Sequence, residues 1–255
     1  MTNKEMLCTA LKQSALELNC TVDDLTGGKS KAVISSTAEG ARKYLSLPFY
    51  CQLVSYGSGI VASVNEEIYA DAKAYIEKYA PEHCFETPNM LVLQSALERR
   101  GMSACFMAEY WLCDTDAIRM IDCSYELRLL TAEDFAPLYT PQWSNALCEK
   151  RKELDVLGIG AYDGEKLVGL AGCSADCESM WQIGVDVLPE YRRRGIASAV
   201  TSRLAAEIMA RGKVPFYCCA WSNVASARNA IRAGFRPAWV ELTAKSAEYT
   251  ADMNK

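Results

Sequence analysis

Histidine is nearly missing from this sequence: His83 is the only one in 255 residues. Ser-His-Asp hydrolases, Cys-His proteases and most zinc enzymes need imidazoles at defined places, so these classes are excluded and no metal is expected. His83 stands beside Pro81 and Cys84 in a loop-like stretch and reads as a solvated loop residue. Long apolar runs are missing too. None approaches the roughly 18 residues that a bilayer span requires, and Met1 to Lys12 contain no apolar segment of the secretory kind, so a cytoplasmic protein with no membrane partner is expected. Positive charge is not in excess, since 27 Lys and Arg face 32 Asp and Glu for a net charge of −5. That leaves no overall basic field for a nucleic-acid backbone, and no nucleic-acid partner is expected. Finally, the twelve cysteines, scattered from Cys8 to Cys219, contain no Cys-x-x-Cys pair. A chain of this length needs no disulfide staples, and they read as reduced thiols, mostly in the core.

What is present is the composition of a folded globule, 50% hydrophobic and 23% charged, long enough for two modest domains. Met6, Leu7, Leu11, Ala15 and Leu18 recur at helical spacing over residues 4–18. Pro48 to Val54 and Gly59 to Val64 read as paired strands, followed by helices at about 65–79 and 89–99 and an extended strand from Met102 to Cys113. Gly27-Gly28-Lys29-Ser30 has the tail of a phosphate-binding P-loop, but Asp23 stands where its first glycine belongs. A domain boundary is placed near residue 124, giving an N-terminal α/β companion domain over 1–123 and a second domain over 124–255. Thr131, with Glu133 and Asp134 behind it, reads as a helix N-cap.

From Leu157 the pattern is that of an antiparallel sheet: Gly158 to Tyr162, a turn at Asp163 to Lys166, Leu167 to Ser174, then Met180 to Leu188. The last strand leads through Pro189-Glu190-Tyr191 into Arg192-Arg193-Arg194-Gly195-Ile196-Ala197 and then a helix, marked by Ile196, Val200, Leu204 and Ile208 and stopped at Gly212. A strand that enters a helix N-terminus through a glycine-bearing loop leaves backbone N–H groups unpaired, with the positive end of the helix dipole behind them. This is a phosphate site. Gly195 allows close backbone approach, and the arginines add charge-assisted donors.

This loop resembles the Arg/Gln-x-x-Gly-x-Gly/Ala motif of the GNAT N-acetyltransferase superfamily, with Arg192, Gly195 and Ala197 at its fixed positions. The later segment, Asn223 before a short helix ending at Gly234-Phe235, is similar to the second half of the same pattern. The resemblance covers roughly residues 125–243. The wording of residues 180–187 and 214–217 is most like the two-part GNAT proteins related to the zwittermicin A resistance acetyltransferase. It implies an α/β (α+β) chain with a mixed, mostly antiparallel splayed sheet flanked by helices, behind a smaller α/β companion domain of unknown role.

The resemblance further implies acetyl-coenzyme A as cosubstrate, a small-molecule primary amine as acceptor, direct attack on the acetyl carbon, and a monomer or homodimer. The cofactor-binding residues it implies are Val185, Val187, Arg192, Arg193, Arg194, Gly195, Ile196, Ala197, Asn223 and Ser226. The backbone N–H near Val187 is expected to polarise the thioester carbonyl, worth roughly 3 kcal/mol for a fixed donor. An alkylammonium acceptor must lose a proton, and the candidate bases are Asp186 first, then Glu178 and Asp176, with Glu241 on a later strand. Where many family members place a thiol-protonating tyrosine, seven residues after the Asn, this chain has Ala230; Tyr217, Ser226 or water are the substitutes open. The competing reading is a catalytically silent acyl-coenzyme A sensor or partner-binding protein on the same fold.

Overall fold

The structure, a computed structural model, describes all 255 residues. In chain order the elements are α1 (Asn3–Leu18), α2 (Val22–Thr26), β1 (Lys31–Ile34), β2 (Cys51–Ser55), β3 (Val61–Val64), α3 (Tyr69–Lys78), α4 (Thr87–Glu98) and β4 (Met102–Cys113). They continue with β5 (Glu126–Thr131), β6 (Asp155–Asp163), β7 (Lys166–Ser174), β8 (Met180–Val187), α5 (Ile196–Ala210), β9 (Val214–Ala220), α6 (Val224–Arg232), β10 (Phe235–Ser246) and α7 (Ala247–Met253). The chain divides into two units, Met1–Thr9 with Trp111–Pro237, and Ala10–Tyr110 with Ala238–Lys255. The boundary read near residue 124 falls inside the first unit. There the end of β4 and the residues after it belong with the later strands, and β4, β10 and α1 each pass from one unit into the other.

In the first unit the strand order is β5-β6-β7-β8-β9-β4. β5 to β8 pair antiparallel, and β8 with β9 parallel. The β6–β7 turn needs Gly164, at φ +60°, a region that side chains with a Cβ rarely enter. One sheet face is covered by α5, whose Ile196, Val200, Leu204 and Ile208 are all buried. The other face is covered by residues 132–154, which bring Phe135, Trp143, Ala146 and Leu147 against Leu130, Leu170 and Leu188. The expected helix after Thr131 is a single 3₁₀ turn. The capping box between Thr131 and Asp134 is present, but the chain continues only as further 3₁₀ turns, two of them opened by Pro137 and Pro141. Proline has no N–H to carry an α-helix onward. Asp155 anchors this cover by accepting the Cys148 N–H (2.8 Å) and the Tyr139 hydroxyl (3.2 Å), while burial pushes its pKa up to about 6.

In the second unit the order is β1-β3-β2-β10-β4, with β1 parallel to β3 and the β2–β3 hairpin antiparallel as expected. Its core joins Leu53, Ile60, Ile68, Ile76, Leu93, Leu97 and Leu242. Of the apolar positions read in α1, Met6, Leu11, Ala15 and Leu18 are buried but Leu7 is exposed, and Ala10 takes the inward place. α2, β1 and α7 had not been anticipated.

Beside that core Arg42 is buried between two glutamates. Its Nε and Nη2 donate to both Glu17 oxygens at 2.7–3.0 Å, and Nη2 also donates to Glu241 Oε1 at 2.9 Å. Glu241 accepts in addition from Gln52 Nε2 (2.9 Å) and Trp239 Nε1 (2.7 Å). Burial works against the guanidinium's charge, yet Tyr44, Glu241 and Glu17 outweigh it and hold the pKa well above its ordinary value. Glu241 is thereby a structural anion, fully matched, and not a base open to a substrate. Replacing Arg42 by Met strands two buried carboxylates. Urea unfolding is expected to show a loss of about 3–5 kcal/mol, as for other broken buried pairs, and a loss below about 1 kcal/mol would contradict this role for the triad.

Candidate acetyl-coenzyme A site

β8 and β9 pair only from Met180–Val214 to Ile183–Tyr217. Beyond that point both strands continue, β8 to Val187 and β9 to Ala220, without being partners. The strands fork there. β8 stays attached to β7 on its other side, through Gly172–Gly184 to Gly169–Val187. The N–H of Leu188 donates to the Val168 carbonyl at 3.0 Å, and strand groups alternate sides residue by residue. Asp186 and Gly184 therefore turn their backbone groups to β7, while Val185 and Val187 turn theirs into the fork. The backbone groups of Val185 and the N–H of Val187 on that side have no strand partner, while the Val187 carbonyl accepts from Arg192 Nε.

The fork ends at the loop before α5. Arg193 at φ +63° and Gly195 at φ +82° turn the chain sharply, and Gly195 is the N-cap. No side chain caps the helix. The first helical bond runs from the Ala199 N–H to the Gly195 carbonyl, so the N–H groups of Ile196, Ala197 and Ser198 have no acceptor within the helix. With the helix dipole behind them they form an anion cradle. Ile196 fixes it in place: its side chain is buried against β7 where a Cβ on Gly169 would collide with Ile196 Cγ2.

The three arginines do different things. Arg192 Nε braces the loop by donating to the Val187 carbonyl at 3.2 Å. Arg194 donates to the Tyr125 hydroxyl (2.8 Å) and the Glu190 carbonyl (3.1 Å) and lies over the Tyr191 ring. Arg193 is exposed and has neither a hydrogen bond nor an ion pair to the protein. Its charge is the one of the three that no protein group engages, a distinction the run of three identical residues concealed.

On the far side of the fork, the Asn223 side chain caps α6 by accepting the Ser226 N–H at 3.1 Å. The Ser226 hydroxyl meets the Tyr217 hydroxyl at 2.7 Å. Asn229 ties α6 to α5 through Ser198 (3.0 Å) and Thr201 (3.2 Å). Ala230 is fully buried and polar chemistry is absent from its position.

The three expected acids are not brought together. Asp186 is next to the fork, but Oδ2 accepts the backbone N–H groups of Asn145 and Ala146, both at 2.9 Å, and Oδ1 accepts from Asn145 Nδ2 at 2.6 Å. The same backbone lies over Gly172 and Gly184, where any Cβ would strike the carbonyl oxygens of Ala146 and Asn145. Asp186 is thus the anchor of the 145–146 crossing. Asp176 is buried and paired with Arg151 at 3.0 Å, and Glu178 is exposed. Both precede β8, roughly 20 Å along the strand from its open end at about 3.3 Å per residue. Nothing in the local sequence marked Asn145, because its link to Asp186 spans 41 residues.

A fork with an open strand edge leading to an uncapped helix N-terminus defines an acyl-coenzyme A binding acyltransferase fold. The family model described as GNAT acetyltransferase matches residues 108–238, just over half of the chain. The chain belongs to this family of acyltransferases. Among solved structures it is similar to a GNAT-family protein from Novosphingobium aromaticivorans, at 20% identity and TM-score 0.41 over 56% of this chain and 66% of that one. It is also similar to an acetyltransferase of the family from Colwellia psychrerythraea, at 17% identity and TM-score 0.43 over 61% and 62%. In both cases the chain spans just under two thirds of the other protein's length. A third similar structure is YncA from Salmonella typhimurium with its cofactor acetyl-CoA, at 17% identity and TM-score 0.35 over 49% and 94%. No curated protein matches the chain.

If Asp186 is an anchor, Asp186→Asn is expected to lower the unfolding free energy by roughly 1–3 kcal/mol, since a charged acceptor of three bonds becomes neutral. The shape of the pH–rate profile of thiol release should stay as it is. A fall in kcat of a hundredfold or more with loss of the profile's rising limb would instead make it the base.

Proposed function

We propose that this protein moves the acetyl group of acetyl-CoA to a primary amine of a small molecule by direct attack. The observation that carries this reading is the continuity of the fork with the cradle. Val185 and Val187 offer strand-type bonds to the pantetheine arm, and the same edge leads to the N–H groups at 196–198, where the pyrophosphate would lie with Arg193 alongside. A thioester carbonyl lying against a Val185 or Val187 N–H is polarised toward the charge it gains as the amine attacks. None of the three acids faces the fork unengaged, so the amine proton leaves to water.

The acceptor class rests on the resemblance of residues 180–187 and 214–217 to proteins related to the zwittermicin A resistance acetyltransferase, which supports an amine-bearing antibiotic or metabolite. A cytoplasmic setting suits twelve free thiols, as such thiols persist where glutathione keeps them reduced.

Calorimetric titration with acetyl-CoA tests the donor half of the reading. Wild type should bind saturably. Arg193→Ala should bind roughly ten to a hundred times more weakly, the value of a charge-assisted phosphate contact, with a shallower salt dependence. Gly195→Asp, which sets a carboxylate at the cradle, should abolish binding while the circular dichroism spectrum is kept. Unaltered binding in both folded variants would sink the proposed site. The acceptor is then sought by release of free thiol across a panel of amines.

A further inference from the structure

The outer face of α6 is not the polar surface that a helix in water usually shows. Inward, Ala230 is buried and Asn229 binds Ser198 and Thr201 of α5. Outward, Val224, Arg228 and Ile231 stand one above another at i, i+4 and i+7, with Arg232 beside them and Trp221 just ahead of the helix. Trp221, Val224 and Ile231 are 45%, 52% and 60% exposed. Arg228 and Arg232 are exposed, and no hydrogen bond or ion pair to the protein engages either. Other arginines of this unit are matched: Arg203 and Arg211 share Glu207, and Arg236 pairs with Asp114. No acidic residue occurs in α6. In a chain of net charge −5 this face is at once apolar and positive.

Its place suggests a use. Asn229 holds α6 to Ser198, in the first turn of α5. The helix therefore flanks the anion cradle, where Arg193 is likewise unengaged. Whatever is joined to the phosphate of a pantetheine arm lying in the fork leaves the protein beside this face. We infer that the face docks an acidic carrier protein whose acetyl group rides on a phosphopantetheine arm, a second acyl donor for the same fork. This rests on the acetyl-CoA reading above.

The chemistry of the face selects this occupant. A carrier's arm is joined to a serine through its phosphate, so an arm in the fork with its phosphate at the cradle holds the carrier against the flanking helix. Arg193, Arg228 and Arg232 match carboxylates on the carrier by charge-assisted bonds and steer its approach. Trp221, Val224 and Ile231 supply the apolar contacts that a protein interface adds to such charges. From Val224 to Ile231 the ridge runs about 10 Å, at about 1.5 Å per residue, and its isoleucine end offers nothing to a nucleotide phosphate. A second copy of this chain fits poorly, because two-fold pairing of the face sets Arg228 and Arg232 against their own copies. The reaction is unchanged by the donor. The amine nitrogen bonds the acetyl carbon, the carbon–sulfur bond breaks, and the arm's sulfur takes a proton from water while the nitrogen releases one to water.

The test compares two donors and needs no acceptor. The probes are acetyl-CoA and an acidic acyl carrier protein of the fatty-acid type, acetylated on its phosphopantetheine thiol. Their dissociation constants are measured with the full chain as wild type, as the Arg228→Glu, Arg232→Glu double variant and as Ile231→Ser, each checked for fold by circular dichroism. Wild type should bind the acetylated carrier saturably, and more weakly as salt is raised. Both variants should bind the carrier at least tenfold more weakly while their acetyl-CoA affinity stays within about twofold of wild type. Three results would overturn the docking face and leave the acetyl-CoA reading standing: no carrier binding by a wild type that binds acetyl-CoA, carrier binding that the variants leave unaltered, or an equal loss of acetyl-CoA affinity in the variants. Carrier binding without acetyl-CoA binding would overturn the coenzyme as donor and keep the face. Failure of wild type to bind either probe would overturn both.

Discussion

The separation of β8 from β9 after the Ile183–Tyr217 pair is the constraint on which the first unit's chemistry depends. A buried strand edge without partners is ordinarily unfavourable, because each orphaned N–H or C=O loses its water without gaining a bond. Here the edge is held open from both sides. β8 is held to β7 through the close Gly172–Gly184 crossing under Asn145 and Ala146. β9 is drawn toward α6 by the Tyr217–Ser226 bond. The edge of β8 beyond Ile183 is thereby kept from pairing with β9.

The cradle arises from the same geometry. Because Gly169 lacks a Cβ, Ile196 can seat α5 directly on β7, which aims the helix N-terminus at the mouth of the fork. The Arg192 and Arg194 bonds stiffen the loop between them, leaving Arg193 as its free cation. Asp186 serves the fork from beneath by fixing the crossing segment, and a carboxylate with three donors in place is poorly suited to shuttle protons.

How far this was legible in the sequence depended on the range of the interactions. The strand, loop and helix from Met180 to Ala210 could be read because each signal is local: a β-rich run, a glycine at positive φ, apolar residues every fourth position. The helix expected to begin at Thr131 stops as a single 3₁₀ turn, since Thr131 and Asp134 form a sound cap but Pro137 and Pro141 keep the next turns from becoming α-helical. Asp186 looked like a base because its partners lie some forty residues back. Glu241 looked available because Arg42 and Glu17 are about two hundred residues away in sequence. Ala230 was a visible gap in the family pattern, but only the fold shows that Tyr217 and Ser226 meet.

The most direct measurement is amide hydrogen exchange, residue by residue, with and without acetyl-CoA. The account predicts that the N–H groups of Val185, Val187 and residues 196–198 exchange freely in the unliganded protein and become protected together when acetyl-CoA binds. Saturable binding that leaves those amides unprotected, or protects a different surface, would contradict it.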